Sequence, residues 1–258
     1  MKLRLMNGAG NTFAVFDARG LTLDFADLAK RLCKPTGVDG LLAIDHSQTA
    51  DFKLHFYNPD GLRGEMCGNG ARCVCRFAFD LGIVESSMTI ETDAGLVFGQ
   101  RIRKSLYRVQ LNLPSVLDLQ RTEAAAYVEL GNPGIPHCVT EIPDLSWDDR
   151  EKLRDLAQRL RFDPAFPKGV NVNFYNWVDS STVRLLTYER GVEDYTLACG
   201  TGSASTAVTL WAKGLLKDGS LTVKNPGGDL TVTIQSEAGQ LTALFLEGPA
   251  EGEKWIDI

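Results

Sequence analysis

The sequence predicts an α+β fold of two pseudo-symmetric halves, each a curved, barrel-like sheet of mixed or antiparallel strands around a central helix. Three observations lead there. The segment Met66-Cys67-Gly68-Asn69-Gly70-Ala71-Arg72 returns as Ala198-Cys199-Gly200-Thr201-Gly202-Ser203-Ala204, 132 positions later in a chain of 258 residues. Each copy opens an apolar stretch of helical period, and each reaches a further glycine fifteen residues past its cysteine, Gly82 and Gly214. Most of the remaining periodic segments alternate like strands, and many strands with few helices favour α+β packing. The halves are expected at 1–116, joined by a C-terminal strand at about 248–258, and at 117–247. One cysteine of the repeat falls in each, and no low-complexity linker parts them.

In chain order, Lys2–Met6 and Phe13–Phe16 read as a hairpin turned by Asn7-Gly8-Ala9-Gly10-Asn11. Phe25, Leu28, Ala29 and Leu32 give helical spacing from Asp24 to Leu32, with Pro35-Thr36-Gly37 expected to end it. Leu41–Ile44 and Phe52–Tyr57 are strands, followed by a turn at Asn58-Pro59-Asp60-Gly61. A loop through Glu65 leads to the first glycine pair. Ala71, Val74, Cys75, Ala78 and Leu81 then define a helix buried on one side or all round. Met88–Thr92, Gly95–Ile102 and Tyr107–Leu113 form a strand meander that Pro114 is expected to close.

The second half repeats this plan. Ala126–Leu130 is a strand, Gly131–Pro136 a rigid loop, and His137-Cys138-Val139 lies beyond it. Asp148–Leu160 is a charged amphipathic helix; Val170–Trp177 and Thr182–Tyr188 are strands. The helix after Gly202 carries Ala207, Val208, Leu210, Trp211 and Leu215. Leu221-Thr222-Val223 and Gly227-Gly228 fall 133 positions after Met88-Thr89-Ile90 and Ala94-Gly95, so the repeat outlasts the helix. Lys254–Ile258 is a candidate final strand.

Composition excludes several classes. An apolar fraction of 44% and a charged fraction of 23% are those of an ordinary globular protein. The net charge of −6 and pI near 5.2 argue against nucleic acid or an anionic membrane as partner. No apolar run of about 18 residues could span a bilayer, and Met1–Gly10 lacks the apolar core of a secretory signal. A cytoplasmic protein with a small-molecule partner is expected, with monomer and homodimer both open. The spacing Cys67-x5-Cys73-x-Cys75 fits no zinc pattern, so no metal is expected. Cys33, Cys73, Cys75 and Cys138 read as small buried apolar residues.

Cys67 and Cys199 differ from these. A helix start leaves N–H groups unpaired and carries partial positive charge, which stabilises a thiolate and attracts a carboxylate. Glycines there allow the anion to come close. Two such ends, each with a thiol, suit stereoinversion by two bases: one thiolate removes an α-proton and the other thiol returns one to the opposite face. The competing readings are a structural turn and a nucleotide loop. Gly68-x-Gly70 and Gly200-x-Gly202 lack the third glycine of a dinucleotide fingerprint, with Cys73 and Ser205 in its place, and neither carries Gly-Lys-Ser/Thr.

With these residues in view, the chain resembles the diaminopimelate epimerases, cofactor-independent enzymes that interconvert L,L- and meso-2,6-diaminopimelate. The resemblance lies in Met66–Cys73 and Leu197–Gly202, and in Met6-Asn-Gly-Ala-Gly-Asn11, Gly37-Val-Asp-Gly-Leu-Leu42, Tyr57-Asn-Pro-Asp-Gly61, Gly134-Ile-Pro-His-Cys-Val139, Gly169-Val-Asn171 and Tyr188-Glu-Arg-Gly191. It implies two barrel-like halves with the active site between them, and an isomerase of lysine and cell-wall precursor synthesis that uses no cofactor. By motif it makes Cys67 and Cys199 the acid–base pair, with His137 and Glu189 setting their protonation. Gly68, Asn69, Gly200 and Thr201 would hold the reacting carboxylate through the backbone. Asn11, Asn58, Asn171, Glu189 and Arg190 would contact substrate, Arg190 through its forked donors.

Without the resemblance, Asn58, Asn11 and Asn171 read first as turn or structural residues and Glu189-Arg190 first as a solvated pair, while His137 reads equally as the end of a strand. Three positions depart from the family's usual residues. Ile135 stands where an Asn often contacts substrate, with Asn132-Pro133 just upstream; Thr12 replaces Asp, and Tyr195 replaces Glu. A racemase of the same fold for another amino acid, and a non-catalytic amino-acid-binding protein, are the alternatives.

Overall fold

A computed structural model describes residues 1–64 and 67–257; Glu65 at the end of the expected loop, Met66 at the head of the first repeat, and Ile258 at the end of the expected final strand lie outside the described residues. The chain divides into two compact units, Met1–Gln110 with Glu247–Ile258, and Leu111–Leu246.

The first unit runs β1 (Lys2–Gly8), β2 (Asn11–Asp17), α1 (Phe25–Thr36), β3 (Gly40–Asp45), β4 (Phe52–Tyr57), β5 (Arg63–Gly64), α2 (Gly68–Asp80), β6 (Ser87–Thr92), β7 (Gly95–Arg103) and β8 (Leu106–Leu111). The second runs β9 (Pro114–Asp118), β10 (Ala126–Leu130), β11 (Ile135–Glu141), a 3₁₀ turn at Trp147–Asp149, α3 (Arg150–Arg161), β12 (Asn171–Asp179), β13 (Thr182–Glu189), β14 (Asp194–Tyr195), α4 (Gly200–Ala212), β15 (Ser220–Asn225), β16 (Gly228–Glu237) and β17 (Gln240–Pro249). Strand β18 (Glu251–Asp257) completes the first.

Strand pairing repeats step for step. In the first unit β1–β2 is antiparallel, β2–β3 parallel, β3–β4 antiparallel, β4–β6 parallel and β6–β7 antiparallel, with β18 flanking β1. In the second, β10–β11, β11–β12, β12–β13, β13–β15 and β15–β16 follow the same alternation, with β9 flanking β10. Helix α2 touches β1, β2, β3, β7 and β18, strands from both ends of its sheet, so the sheet curves around it. Helix α4 does likewise with β10, β11, β12, β15 and β16. Both helices are buried through most of their length: α4 carries no charged residue, and in α2 Arg76 and Asp80 lie toward the C-terminal end while Arg72 is buried with the apolar residues.

The sheets are covered on their other face as well. Leu28, Ala29 and Cys33 of α1 pack on Ala14, Phe16, Leu41 and Ala43, while Leu153, Ala157 and Leu160 of α3 pack near Cys138, Val172 and Phe174. Strands buried on both faces read as continuous apolar runs, which explains Phe13–Phe16 and Leu41–Ile44.

Several boundaries differ from expectation. Helix α1 ends within the expected Pro35-Thr36-Gly37 but runs past its last periodic residue, Leu32: Pro35 and Thr36 are helical, the Thr36 hydroxyl donates to Leu32 O at 2.6 Å, and Gly37 stops the helix in the left-handed region (φ 70°). Pro114 opens β9, where a strand's first residue tolerates a missing N–H. The loop before His137 is shorter than expected, because Ile135 and Pro136 already pair with Leu130 and Glu129. Cys33, Cys73, Cys75 and Cys138 are fully buried as expected, and none of the six cysteines is in a disulfide. No helix among the described residues is long and apolar enough to cross a membrane.

Candidate active site

In the first unit the site is built where the β1–β2 hairpin meets the start of α2. Ala9 (φ 58°) and Gly10 (φ 91°) make the turn, and Asn7 Oδ1 accepts from Gly10 N at 2.9 Å. A β-carbon at Gly8 would stand 2.8 Å from Asn69 O and 3.1 Å from Cys73 Sγ, so glycine is what lets the hairpin lie on the helix end. Cys67, half-buried, is the N-cap with extended backbone (φ −128°, ψ 117°), and its carbonyl accepts from Ala71 N at 2.7 Å.

Asn69 is almost wholly buried. Its Nδ2 donates to Asn11 Oδ1 at 2.5 Å, which joins two of the predicted residues, and its Oδ1 accepts from Arg72 Nη2 at 2.9 Å. Arg72 is completely buried; its other donors reach Gly68 O (3.3 Å) and Pro249 O (3.4 Å). Burial lowers its pKa to about 10, so the guanidinium remains charged at neutral pH, within electrostatic reach of Cys67. Asn58 closes the predicted turn, donating to Leu62 O at 2.8 Å and accepting from Gly61 N at 2.9 Å; its side chain makes no hydrogen bond among the described residues. Thr12, at the position of an expected Asp, is held by the carboxylate of Asp39: its N and Oγ1 donate to Asp39 Oδ2 at 2.8 and 3.2 Å.

The second unit repeats the helix end with different neighbours. Cys199 caps α4 from extended backbone (φ −114°, ψ 111°), and its Sγ accepts from Gly202 N at 3.3 Å and lies 3.6 Å from Thr201 Oγ1. The N–H groups of Gly200 and Thr201 make no hydrogen bond among the described residues, as a helix start leaves them. Burial pushes the Cys199 thiol well above its ordinary pKa, and the charge and hydrogen bond of Glu189 push it further; the donors at Thr201 and Gly202 oppose this without overcoming it. Glu189 ends β13, and its Oε1 accepts from Thr196 Oγ1 at 2.7 Å.

Asn171 ties the neighbouring backbone together: Nδ2 donates to Pro136 O at 3.2 Å, and Oδ1 accepts from Arg190 N at 2.9 Å. Arg190 reaches Lys168 O with Nη1 at 2.9 Å. His137 on β11 is completely buried; burial and then the nearby Arg190 charge hold its pKa down at about 3, so the ring is neutral. Its Nδ1 lies 3.1 Å from Asn173 Nδ2, while Nε2 is buried with no partner among the described residues. Of the departing positions, Ile135 begins β11 opposite Leu130, and Tyr195 packs edge-on against Tyr188 with ring centroids 5.4 Å apart.

Three residues at these helix ends were missed in the sequence: Arg72, Asn173 and Thr187. Asn173 had a visible signal, since it stands two positions after Asn171 and therefore on the same face of the strand. Charged or polar residues inside otherwise apolar elements, like Arg72 in α2, carry the same hint.

The architecture is that of a group of known racemases, epimerases and relatives. It superposes on a hydroxyproline epimerase from Agrobacterium vitis with a TM-score of 0.70 and 20% identity, covering 100% of this chain and 90% of that one. It also superposes on a phenazine biosynthesis protein of the PhzF family from Bacillus anthracis with a TM-score of 0.74 and 15% identity, covering 100% and 99%. The chain shares the fold of these proteins.

Its sequence relationships are narrower. The family profile of diaminopimelate epimerase matches residues 4–102 and 130–252. The diaminopimelate epimerase of Aquifex aeolicus is 35% identical over 267 aligned positions, covering 96% of this chain and 94% of that protein. The chain belongs to the diaminopimelate epimerase family.

Proposed function

We propose that the protein interconverts L,L- and meso-2,6-diaminopimelate by proton transfer at one α-carbon, with Cys67 and Cys199 as the two transferring groups. The observation that carries this reading is the repetition, within a chain of this family, of one device: a thiol at the N-cap of a buried helix whose first residues are Gly-x-Gly. One thiolate takes the α-proton, breaking C–H and forming S–H. The electron pair left on carbon spreads into the α-carboxylate, and a thiol on the opposite face gives up its proton to form the new C–H bond. Open N–H groups at Gly200 and Thr201 are suited to hold the carboxylate as its charge grows. With Glu189 raising the proton affinity of Cys199, that residue rests as the thiol. Thiols of this kind must stay reduced, which suits the cytoplasm. The role belongs with lysine and peptidoglycan precursor synthesis, and it requires nothing beyond the two thiols as acid and base.

Proton NMR in D2O tests the reading. Incubation with diaminopimelate should wash out its α-proton signal while simple amino acids keep theirs. Replacing either thiol, by Cys67→Ala or Cys199→Ala, should slow interconversion by about 10²–10⁴-fold, the usual worth of a general acid or base. Washout only from an amino acid without a second carboxylate would make the protein a racemase of another substrate. No exchange from any amino acid would leave a binding protein.

A further inference from the structure

We propose that Asn173 is a positioning residue: its amide holds His137 as a neutral Nε2–H donor and seats the glycine turn that presents Cys199. The inference rests on the reading of the Cys199 helix end as part of a catalytic centre.

The amide can sit only one way. Asn173 Nδ2 lies 2.9 Å from Cys138 O, 3.2 Å from Asn171 O and 3.1 Å from His137 Nδ1, while Oδ1 accepts from Thr187 Oγ1 at 3.0 Å. Turned over, the amide would press its oxygen against two carbonyl oxygens. The two amide hydrogens are shared among these three acceptors, and the amide nitrogen cannot accept, so a proton on Nδ1 would point at a donor; the neutral ring therefore carries its proton on Nε2. That N–H is the atom left buried without a partner among the described residues. A buried donor in this condition is costly unless a ligand uses it. Arg190, the charged group whose field reaches the ring, adds to burial in opposing a second proton.

The same amide fills the space below the second glycine of the repeat. A β-carbon at Gly202 would stand 2.3 Å from Asn173 Oδ1 and 3.2 Å from Thr187 Oγ1. The first unit shows that polarity is not needed for this packing. By strand register, His137, Asn173 and Thr187 correspond to Phe13, Leu42 and Phe56, and a β-carbon at Gly70 would meet Leu42 and Phe13. Hydrocarbon seats one helix end adequately. A buried polar network in the other serves something besides folding.

Histidine-selective 15N NMR tests the proposal, since the chain has only His46, His55 and His137. The His137 signals, identified by their loss in His137→Gln, should show a protonated Nε2 and an unprotonated Nδ1 from pH 5 to 9. An Nδ1–H tautomer, or an imidazolium at pH 6, would overturn the proposal. In Asn173→Asp the carboxylate accepts from Nδ1–H and should reverse the tautomer. The kcat should then fall at least tenfold, toward the roughly 10⁴-fold loss that a wrong imidazole tautomer causes in a serine protease triad, with KM changing far less. Thr187→Val removes only the hydroxyl contact and should keep the native tautomer. If N173D does not fold, the spectrum of the native protein still decides. The Nε2–H tautomer in a protein that exchanges no α-proton supports the Asn173 lock and removes the proposed function; exchange with an Nδ1–H ring removes the lock alone. A reversed tautomer in N173D with unchanged kcat would also overturn it.

Discussion

The starts of α2 and α4 share a backbone and little else. Each has an extended cysteine N-cap and a Gly-x-Gly first turn laid on three neighbouring strands. Beneath Gly70 those strands present Phe13, Leu42 and Phe56, with Phe13 and Phe56 edge to face at 6.4 Å. Beneath Gly202 they present His137, Asn173 and Thr187, joined by hydrogen bonds. The charges differ too. Arg72 stands five positions after Cys67, where the second unit has Ala204; Glu189 lies beside Cys199. The Arg72 charge reaches one thiol, while the Glu189 carboxylate adds to burial in disfavouring the thiolate at the other. The duplicated backbone supplies two equal positions, and the side chains around them make the positions unequal.

The largest effect should come from adding one methyl group to each glycine of the matched pair. At Gly202 the added carbon meets the fixed Asn173 oxygen at 2.3 Å, and neither the amide nor the helix can yield without breaking the bonds to Thr187 and His137. Gly202→Ala should therefore cost about 3 kcal/mol, at the upper end for overpacking, and nearly abolish turnover. At Gly70 the nearest atoms are the ends of Leu42 at 3.3 and 3.5 Å and Phe13 at 3.5 Å, which can shift slightly. The gain of about 1 kcal/mol from alanine in a helix offsets that strain, so Gly70→Ala should remain within about 1 kcal/mol of native. Urea midpoints decide; equal losses at the two sites would show that the seats are equally tight.

A second difference is titratable. Phe13 cannot bind a proton, but His137 can, and in the folded protein it does so only near pH 3 against an ordinary value of 6.5. As pH falls below 6.5 the unfolded chain takes up a proton that the folded chain refuses. Stability present above that pH is lost on the acid side at up to about 1.4 kcal/mol per pH unit, or roughly 2 kcal/mol by pH 5. His137→Gln removes this component. The gap between native and H137Q stability should therefore change by about 2 kcal/mol between pH 7 and pH 5 in urea titrations, and a gap constant with pH would mean that the ring protonates while folded.

How much of this could be read from the chain depends on which physical signal each feature leaves. The repeat was legible because glycine and cysteine at fixed spacing are rare and local, and strands buried on both faces were legible as Phe13–Phe16 and Leu41–Ile44. Helix α1 stopped within the expected Pro35-Thr36-Gly37 but ran past its last periodic residue, Leu32, because Pro35 sits in a last turn closed by Thr36 and Gly37, which apolar spacing does not show. The equivalence of Leu42 with Asn173 was hidden for a deeper reason. Hydrophobic pattern is the main sequence signal for a strand's role, and these two residues fill one structural position with opposite polarity. Only the pairing register reveals the match. Asn11 and Asn171 could be named as candidates, but that one binds Asn69 and the other bridges Pro136 O and Arg190 N depends on contacts remote in sequence.

The smallest expected effect tests the inequality of the thiols directly. Cys67 is half-buried near a guanidinium, whereas Cys199 is 7% exposed and raised by burial and Glu189. Limited iodoacetamide treatment at pH 7.5, followed by peptide mass spectrometry, should label Cys67 about tenfold faster than Cys199, since thiolate and access govern the rate. Cys33, Cys73 and Cys138 serve as internal silent controls, because burial raises them to about 11, 12 and 12. Glu189→Gln removes the negative charge that disfavours the Cys199 thiolate. Its pKa should fall and its labelling should accelerate several-fold, with Cys67 unaffected. An unchanged Cys199 rate in E189Q would mean that burial alone, and not the carboxylate, sets the proton affinity at that helix end.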